Sequence, residues 1–198
     1  MGNIMKSLMA FVLLLVAIIA VFAKPNNDRE FILKFGFQPL STLSLLSEKA
    51  QGTNASQDTK LGISAGLEYF QYLNNVVALG LGAIYDFPRD TNNTNENVSF
   101  MPLFVALKLR TPLHGLDNTF MFCSGRLGGS IPMLTNLLDG ATQKIGLYYG
   151  AGLGFSINFL VIEAIYAINN FSISLPNNSE TIDANCQTIT LYAGFKFE

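Results

Sequence analysis

Isolated charged side chains within apolar stretches are the residues of this sequence best placed to do chemistry. Eight of them are Lys34, Glu68, Lys108, Arg110, Arg126, Lys144, Glu163 and Lys196. Acids and bases that are held together away from water must pair with one another, because an unpaired buried charge is costly. The set therefore predicts a network of ion pairs, provided that the fold directs these side chains to a common interior.

The residue types needed for catalysis do not form a comparable set. A hydrolase would require a histidine beside a serine and a carboxylate, and the single histidine, His114, lies between Pro112 and Gly115 in a predicted turn. Glycine pairs such as Gly80 and Gly82 lack the third glycine and the helix of a dinucleotide site. No spacing of cysteine and histidine suggests a metal site. We expect no enzymatic activity, no cofactor and no bound metal.

Residues 144–157 indicate the kind of element that positions the charges. Every second residue from Ile145 to Ile157 is apolar, and the residues between them are mostly small or polar. This alternation is typical of a β-strand with two different faces. The segment spans fourteen residues, and a tilted strand needs about 9 to 11 residues to cross a bilayer. A membrane-spanning strand is therefore predicted.

Similar alternation elsewhere gives eight predicted strands in all. They cover residues 30–38, 60–71, 76–87, 98–110, 119–128, 144–157, 159–169 and 187–197. Short connections alternate with long ones. The long ones begin near Pro39, Pro88, Gly129 and Asn170, are rich in Asn, Ser and Thr, and include residues 48–59, 88–97, 130–142 and 171–185. This pattern predicts an all-β fold, an eight-stranded antiparallel up-and-down transmembrane β-barrel. The long loops should lie outside the cell, and the short turns and both termini in the periplasm.

The two faces of the strands differ in polarity. In residues 98–110, for example, Leu103, Val105 and Leu107 lie on one face, whereas Lys108 and Arg110 lie on the other. A charge on the lipid face costs about 2 to 4 kcal/mol near the midplane, so all eight charged residues should point into the lumen. Side chains fill the interior of a barrel of this size. We therefore expect a packed polar lumen rather than an ion-conducting path.

Two finer expectations concern this lumen. The first is that Glu68 and Glu163 face inward and pair with some of Lys108, Arg126, Lys144 and Lys196. The second is that small strand residues such as Gly82 and Gly152 leave room for large side chains from the opposite wall. In residues 119–128 either set of alternate residues could face the lipid, so the register is left open. Residues 159–169 are apolar on both faces except for Glu163.

The N-terminus predicts secretion. Residues 1–7 contain one lysine, residues 8–21 form a continuous apolar run, and Val21 and Ala23 provide small residues at the positions that signal peptidase requires. We expect residues 1–23 to be a signal peptide and residues 24–198 to form one barrel domain. A retained membrane anchor is the alternative, but the apolar run is shorter than the roughly 20 residues of a spanning helix.

The composition excludes several other classes. Charged residues make up 13% of the chain, against about 25% in typical soluble domains. Outside the N-terminal run no segment approaches the length of an apolar spanning helix, which excludes a polytopic helical protein. The net charge of −2 and the absence of a basic run argue against binding to nucleic acid.

The two cysteines are not expected to form a disulfide. The periplasm is oxidising, but the predicted topology places Cys123 near the periplasmic end of its strand and Cys186 near the outer end of the last strand. Their separation should exceed the limit of about 7 Å between Cα atoms that a disulfide permits.

The N-terminal signal, the eight alternating strands and the closing segment at residues 191–197 resemble the bacterial outer-membrane β-barrels of OmpA-like and OmpW-like size. The resemblance implies Sec export, residence in the outer membrane, and contact with its lipid and lipopolysaccharide. It also implies an assembly signal in Tyr192, Phe195 and Phe197 that the barrel-assembly machinery reads. Glu198 follows the last aromatic residue, which departs from the usual terminal pattern.

The function expected from these features is a structural or surface-interaction role in the outer membrane. The four long loops would be the part that meets an extracellular ligand. One alternative is a channel for small solutes or apolar ligands. A second is a soluble, lipocalin-like secreted barrel, which would turn its apolar face inward and its charges outward.

Overall fold

The computed structural model describes residues 29–46, 55–58, 61–90, 97–135, 142–174 and 181–197. These residues form ten β-strands in chain order. They are β1 (Arg29–Leu46), β2 (Ala55–Asp58), β3 (Gly62–Tyr72), β4 (Val77–Asp90), β5 (Asn97–Pro112), β6 (Thr119–Thr135), β7 (Thr142–Lys144), β8 (Gly146–Ile157), β9 (Leu160–Ser174) and β10 (Thr181–Phe197). The predicted signal peptide, residues 1–23, lies outside the described residues.

Eight of the strands close into a barrel. The order is β10-β1-β3-β4-β5-β6-β8-β9, and β9 pairs with β10 to complete the circle. All of these pairings are antiparallel. The short strands β2 and β7 pair with β1 and β9 at one end of the barrel. The predicted eight-stranded up-and-down barrel is confirmed. No helix in the described part of the chain is long and apolar enough to cross a membrane.

Short turns gather at one end of the barrel, together with both described ends of the chain. The turns are residues 73–76, 113–118 and 158–159, and Arg29 pairs with Gln71 at the same end. Asn118 and Asn158 adopt left-handed backbone conformations, with φ of 50° and 52°, which asparagine tolerates better than most residues. We call this end the short-turn end and the opposite one the loop end.

Towards the loop end the strands extend further than predicted. The sequence suggested connections beginning near Pro39 and Pro88, and this is wrong, because β1 and β4 continue through both prolines. The register with the neighbouring strand shifts around each proline. A bulge accommodates a residue that cannot donate to the ladder. Parts of the predicted loops at residues 130–142 and 171–185 likewise belong to β6, β9 and β10.

The outer wall is apolar and the interior is polar. Leu67, Leu107 and Leu153 are 54%, 43% and 68% exposed on the outside, and the predicted outward residues of β5 and β8 are confirmed. In β6, whose register the sequence left open, Met121 faces outward and Arg126 inward. This polarity is the reverse of that of a soluble lipocalin-like barrel, so that alternative is wrong.

Two apolar clusters line the lumen between its polar groups. The larger one surrounds the middle of the barrel and includes Phe70, Phe104, Tyr148, Ile165 and Tyr192. The smaller one lies towards the loop end and consists of Leu43, Phe100, Phe171, Ala184 and Cys186, with Ile173 packed against it.

The cysteines are both free, as predicted. Cys123 is exposed on the outer wall, whereas Cys186 is buried inside the lumen. The wall of the barrel therefore separates the two thiols.

Candidate functional site: ion pairs in the barrel lumen

Four charged side chains form a closed ring across the middle of the lumen, which we call the central ring. It consists of Lys34 on β1, Glu68 on β3, Arg126 on β6 and Glu163 on β9. Lys34 Nζ lies 2.6 Å from Glu68 Oε1 and 3.0 Å from Glu163 Oε2. Arg126 Nε lies 2.9 Å from Glu68, and its Nη2 lies 2.8 and 2.9 Å from the two oxygens of Glu163. Each charge thus contacts both charges of opposite sign.

Neutral groups complete the hydrogen bonding of the central ring. Ser124 Oγ donates to Glu163 Oε1 at 2.6 Å and accepts from Arg126 Nη1 at 2.9 Å. Lys34 Nζ also lies 4.7 Å from the centre of the Tyr192 ring. A Cβ atom at Gly152 would come within 2.7 Å of a Glu163 oxygen. Glycine at this position therefore leaves the space that the carboxylate occupies.

A second group of charges lies nearer the short-turn end, and we call it the Glu30 cluster. It consists of Glu30, Tyr72, Lys108, Arg110 and Lys196. Tyr72 Oη donates to Glu30 Oε1 at 2.8 Å, and Lys108 Nζ lies 2.7 Å from Oε2. The cations of Arg110 and Lys196 lie 3.5 and 3.8 Å from Glu30 Oε1. The single carboxylate of Glu30 thus forms ion pairs with three cations.

Aromatic rings hold two of these cations in place. The Arg110 guanidinium lies 3.6 Å from the centre of the Tyr72 ring and 4.6 Å from that of Phe120. Lys108 Nζ lies 4.5 Å from the centre of the Phe122 ring. Such contacts stabilise a cation because the face of the ring is electron-rich. They partly compensate for the excess of positive charge in this cluster, where one carboxylate contacts three cations.

A third polar layer lies on the loop side of the central ring. Gln38 Nε2 donates to Asp86 Oδ1 at 2.6 Å, and Arg89 donates to the oxygen of Gln38. Arg89 Nη2 also lies 3.5 Å from the sulfur of Cys186. The bulge around Pro88 turns both Asp86 and Arg89 inward, although they are three positions apart.

Between this layer and the central ring lies a small pocket. Its lining includes Gln38, Asp86, Tyr148, Asn169, Thr188 and Tyr192, and its volume is about 10 Å³. That is about the space of one water molecule. Side chains fill the lumen elsewhere at this level: Tyr148 is 2% exposed and its ring centre lies 5.3 Å from that of Phe104.

Of the eight charged residues singled out from the sequence, four lie in the central ring and three in the Glu30 cluster. Arg126 pairs with Glu68 and Glu163 as expected, whereas Lys108 and Lys196 pair with Glu30.

Lys144 is the exception, and its expected place in the lumen is wrong. The register of β7 on β9 pairs Lys144 with Ser172, whereas that of β8 on β9 pairs Tyr148 with Asn169. The chain therefore carries one extra residue at Ile145. Paired residues lie on the same face of a sheet. Ser172 lies on the outer face of β9, because it is an even number of residues, six, after the outward-facing Tyr166. The offset thus places Lys144 on the outer face, where it is exposed.

Sequence reasoning missed Glu30, Asp86 and Arg89 as site residues. Glu30 has the same alternation as Ile32 and Lys34, so the pattern that predicted an inward Lys34 could have found it. No comparable signal exists for Arg89, because the bulge around Pro88 reverses the alternation just before it.

The predicted assembly residues occupy different faces. Phe195 and Phe197 are 47% and 58% exposed on the outer wall, whereas Tyr192 is buried in the lumen and accepts a hydrogen bond from Ser64 at 3.2 Å. Their role in assembly stays a prediction. His114 is exposed in the turn at the short-turn end. No group of three or more potential metal ligands occurs among the described residues.

Comparison with known proteins supports the fold. Solved structures with the same fold include the outer membrane protein AlkL in lipid bilayers, with a TM-score of 0.53, 10% identity, and coverage of 89% of this chain and 93% of that one. They also include the attachment invasion locus protein Ail of Yersinia pestis with the heparin analogue sucrose octasulfate, with a TM-score of 0.50, 16% identity, and coverage of 86% and 99%. Comparison of the sequence alone found no matching family model and no matching curated protein. The predicted resemblance to bacterial outer-membrane barrels is confirmed at the level of the fold.

Proposed function

We propose that the protein is a closed outer-membrane barrel with a structural or surface-interaction role, carried out by the loops at its loop end. The observation that carries this proposal is the filled lumen. The central ring spans the barrel from β1 and β3 to β6 and β9 with side chains that are 1% to 2% exposed. A conducting channel requires a continuous water-filled path, and the pocket next to the ring holds about one water molecule.

The apolar outer wall and the arrangement of the chain ends support the location. An even number of strands, with both ends and the short turns on one side, is the arrangement of bacterial outer-membrane barrels. The proposal assigns no catalytic step and no cofactor to the protein. Contacts with lipopolysaccharide, with the barrel-assembly machinery and with an extracellular ligand are part of the same proposal.

The closed lumen predicts that the purified mature protein is electrically silent. In planar lipid bilayers we expect no discrete conductance steps from the wild type, because the central ring blocks the cross-section. The double variant Arg126→Ala with Glu163→Ala removes half of the ring and should produce openings. The matched control is Leu127→Ala with Ile162→Ala, which truncates the neighbouring outward residues on the same two strands. Stable, ohmic steps from the wild type would contradict a closed barrel and favour the channel alternative.

Location and sidedness give a second prediction. The mature protein should fractionate with outer membranes and require detergent for extraction. Epitope tags at Asn93 or Asn178, in the predicted long loops, should be labelled on intact cells, and added protease should cut there, because long polar loops are preferred cleavage sites. A tag at His114 should be labelled only after the outer membrane is permeabilised. Labelling of His114 alone on intact cells would show that the orientation is inverted.

A further inference from the structure

The outer wall has an apolar depression, which we call the outer groove. Its floor follows one row of paired outward residues across five strands: Leu67, Ala83, Leu103, Gly129 and Leu147. Large and small side chains alternate along this row, so that Ala83 and Gly129 leave two notches between three leucines. The groove has a volume of about 590 Å³. That is within the range of about 300 to 1,000 Å³ found for small-molecule sites.

The chemistry of the groove limits what can occupy it. Its lining consists of apolar side chains and backbone, with Tyr69 as the one side chain in the lining that carries a polar atom. The Tyr69 hydroxyl already donates to Gln71 at 3.1 Å. The groove lies in the apolar wall that faces lipid, so its occupant must be hydrocarbon. The candidates are an acyl chain or the side chains of a second barrel.

A positive charge stands beside the loop-side edge of the groove. Ile131 and Ile145 line this edge, and Ile145 Cγ2 lies 3.5 Å from the Cβ position of Gly129. The extra residue at Ile145 places the neighbouring Lys144 on the outer face, where it is exposed. Within the part of the chain that the structure describes, Lys144 forms no ion pair.

On the far side of β9, the same row of paired residues contains an outward acid, Asp183 on β10. Ser172 separates it from Lys144 and donates a hydrogen bond to its carboxylate at 2.6 Å. The loop-side edge of the groove therefore keeps the positive charge of Lys144. An acyl chain with an anionic headgroup would contact both the apolar notches and Lys144, whereas a second barrel would fill only the notches.

We propose that the outer groove and Lys144 form a docking site for the phosphorylated, multiply acylated glycolipid of the outer leaflet. One acyl chain lies in the notches at Ala83 and Gly129, and a phosphate pairs with Lys144. The choice of this lipid rests on the proposed function, because it requires that the loop end face the cell exterior. The charge complementarity with a phosphate does not depend on that orientation.

The test measures the binding of diphosphoryl lipid A to the purified mature protein in detergent by native mass spectrometry. Lys144→Glu should weaken binding about tenfold, because it replaces an attraction by a repulsion at a half-solvated site. Gly129→Leu fills a notch and should weaken binding by a similar factor. The matched controls are Arg29→Glu, exposed at the short-turn end, and Gly125→Leu, outward on the same strand as Gly129 with open space around it. Both controls should bind like the wild type.

Three results would overturn the proposal. Unchanged lipid A binding in both test variants would show that the groove is not the site. Equal binding of phosphatidylglycerol would show that the site does not select the glycolipid. Loss of a dimer in Gly129→Leu, without loss of lipid A, would assign the groove to a second copy of the chain. Because binding uses purified protein and defined lipids, these results are separate from those of cell fractionation, which tests the outer-membrane location.

Discussion

Replacing Arg126 by methionine should lower the free energy of unfolding by about 3 to 5 kcal/mol, because it removes one partner from buried ion pairs. Arg126 contacts both carboxylates of the central ring. Without it, Glu68 and Glu163 share the single charge of Lys34 in a lumen that leaves almost no room for water. Methionine keeps much of the volume, so the loss reports charge rather than packing. Urea unfolding in detergent or vesicles, followed by circular dichroism, measures it, since the chain has no tryptophan.

A double variant separates the ion pairs from a general loss of structure. The central ring contains two cations and two anions, so removal of Arg126 together with the charge of Glu163 leaves Lys34 and Glu68 as a pair at 2.6 Å. Arg126→Met with Glu163→Gln should therefore be less destabilised than the sum of the two single variants. Lys144→Met is the control, and an exposed change of this kind should alter stability by at most about 0.5 kcal/mol. A loss in Arg126→Met no larger than in this control would refute the ring as a stabilising element.

The alternation of residue types made the architecture predictable. A strand that separates lipid from a polar lumen must repeat with a period of two, and this constraint acts on every strand. It was sufficient to place Leu107 outside and Lys108 inside, although the two residues are adjacent. The number of barrel strands was also predictable, because the alternating segments are separated by connections that are short and long in turn.

The same pattern could not predict where the alternation is interrupted. Each bulge adds one residue and reverses the faces of everything beyond it. Arg89 and Lys144 both lie on the loop side of a bulge. Arg89 consequently faces the lumen, and Lys144 faces outward. The long polar connections were predicted to begin near Pro39 and Pro88, where the regular alternation of the strands ends. Only the register with the neighbouring strand, β10 for Pro39 and β5 for Pro88, shows that each is a bulge.

The choice of partners within the lumen was also beyond the sequence. Alternation gives the face of a residue but not its height along the barrel, and ion pairs form only between residues at similar heights. The register places Glu30 beside Phe70 and Lys34 beside Gly66 on β3. Lys108 lies two residues from the row of Phe70 and four residues from the row of Glu68. It therefore reaches Glu30, although the sequence suggested Glu68 or Glu163 as its partner.

Glu30 should contribute as much to the free energy of unfolding as any residue of the central ring. Glu30→Gln keeps the shape of the side chain and can still accept the hydrogen bond from Tyr72, but it removes the carboxylate that Lys108, Arg110 and Lys196 share. We expect a loss of about 3 to 5 kcal/mol in the free energy of unfolding. The same urea titration measures it, with Arg29→Gln as the control because Arg29 is the adjacent residue and is exposed.

The position of the Glu30 cluster near the end of the barrel predicts a response to salt that the central ring should not show. Arg110 is 15% exposed, whereas the side chains of the central ring are 1% to 2% exposed. Dissolved anions can therefore approach the cations left by Glu30→Gln, and at about 1 M salt, where screening acts over about 3 Å, part of the lost stability should return. The loss in Arg126→Met should stay the same, because no ion can enter the middle of the lumen. Equal recovery of both variants in salt would mean that water and ions reach the central ring, and the barrel could then not be closed.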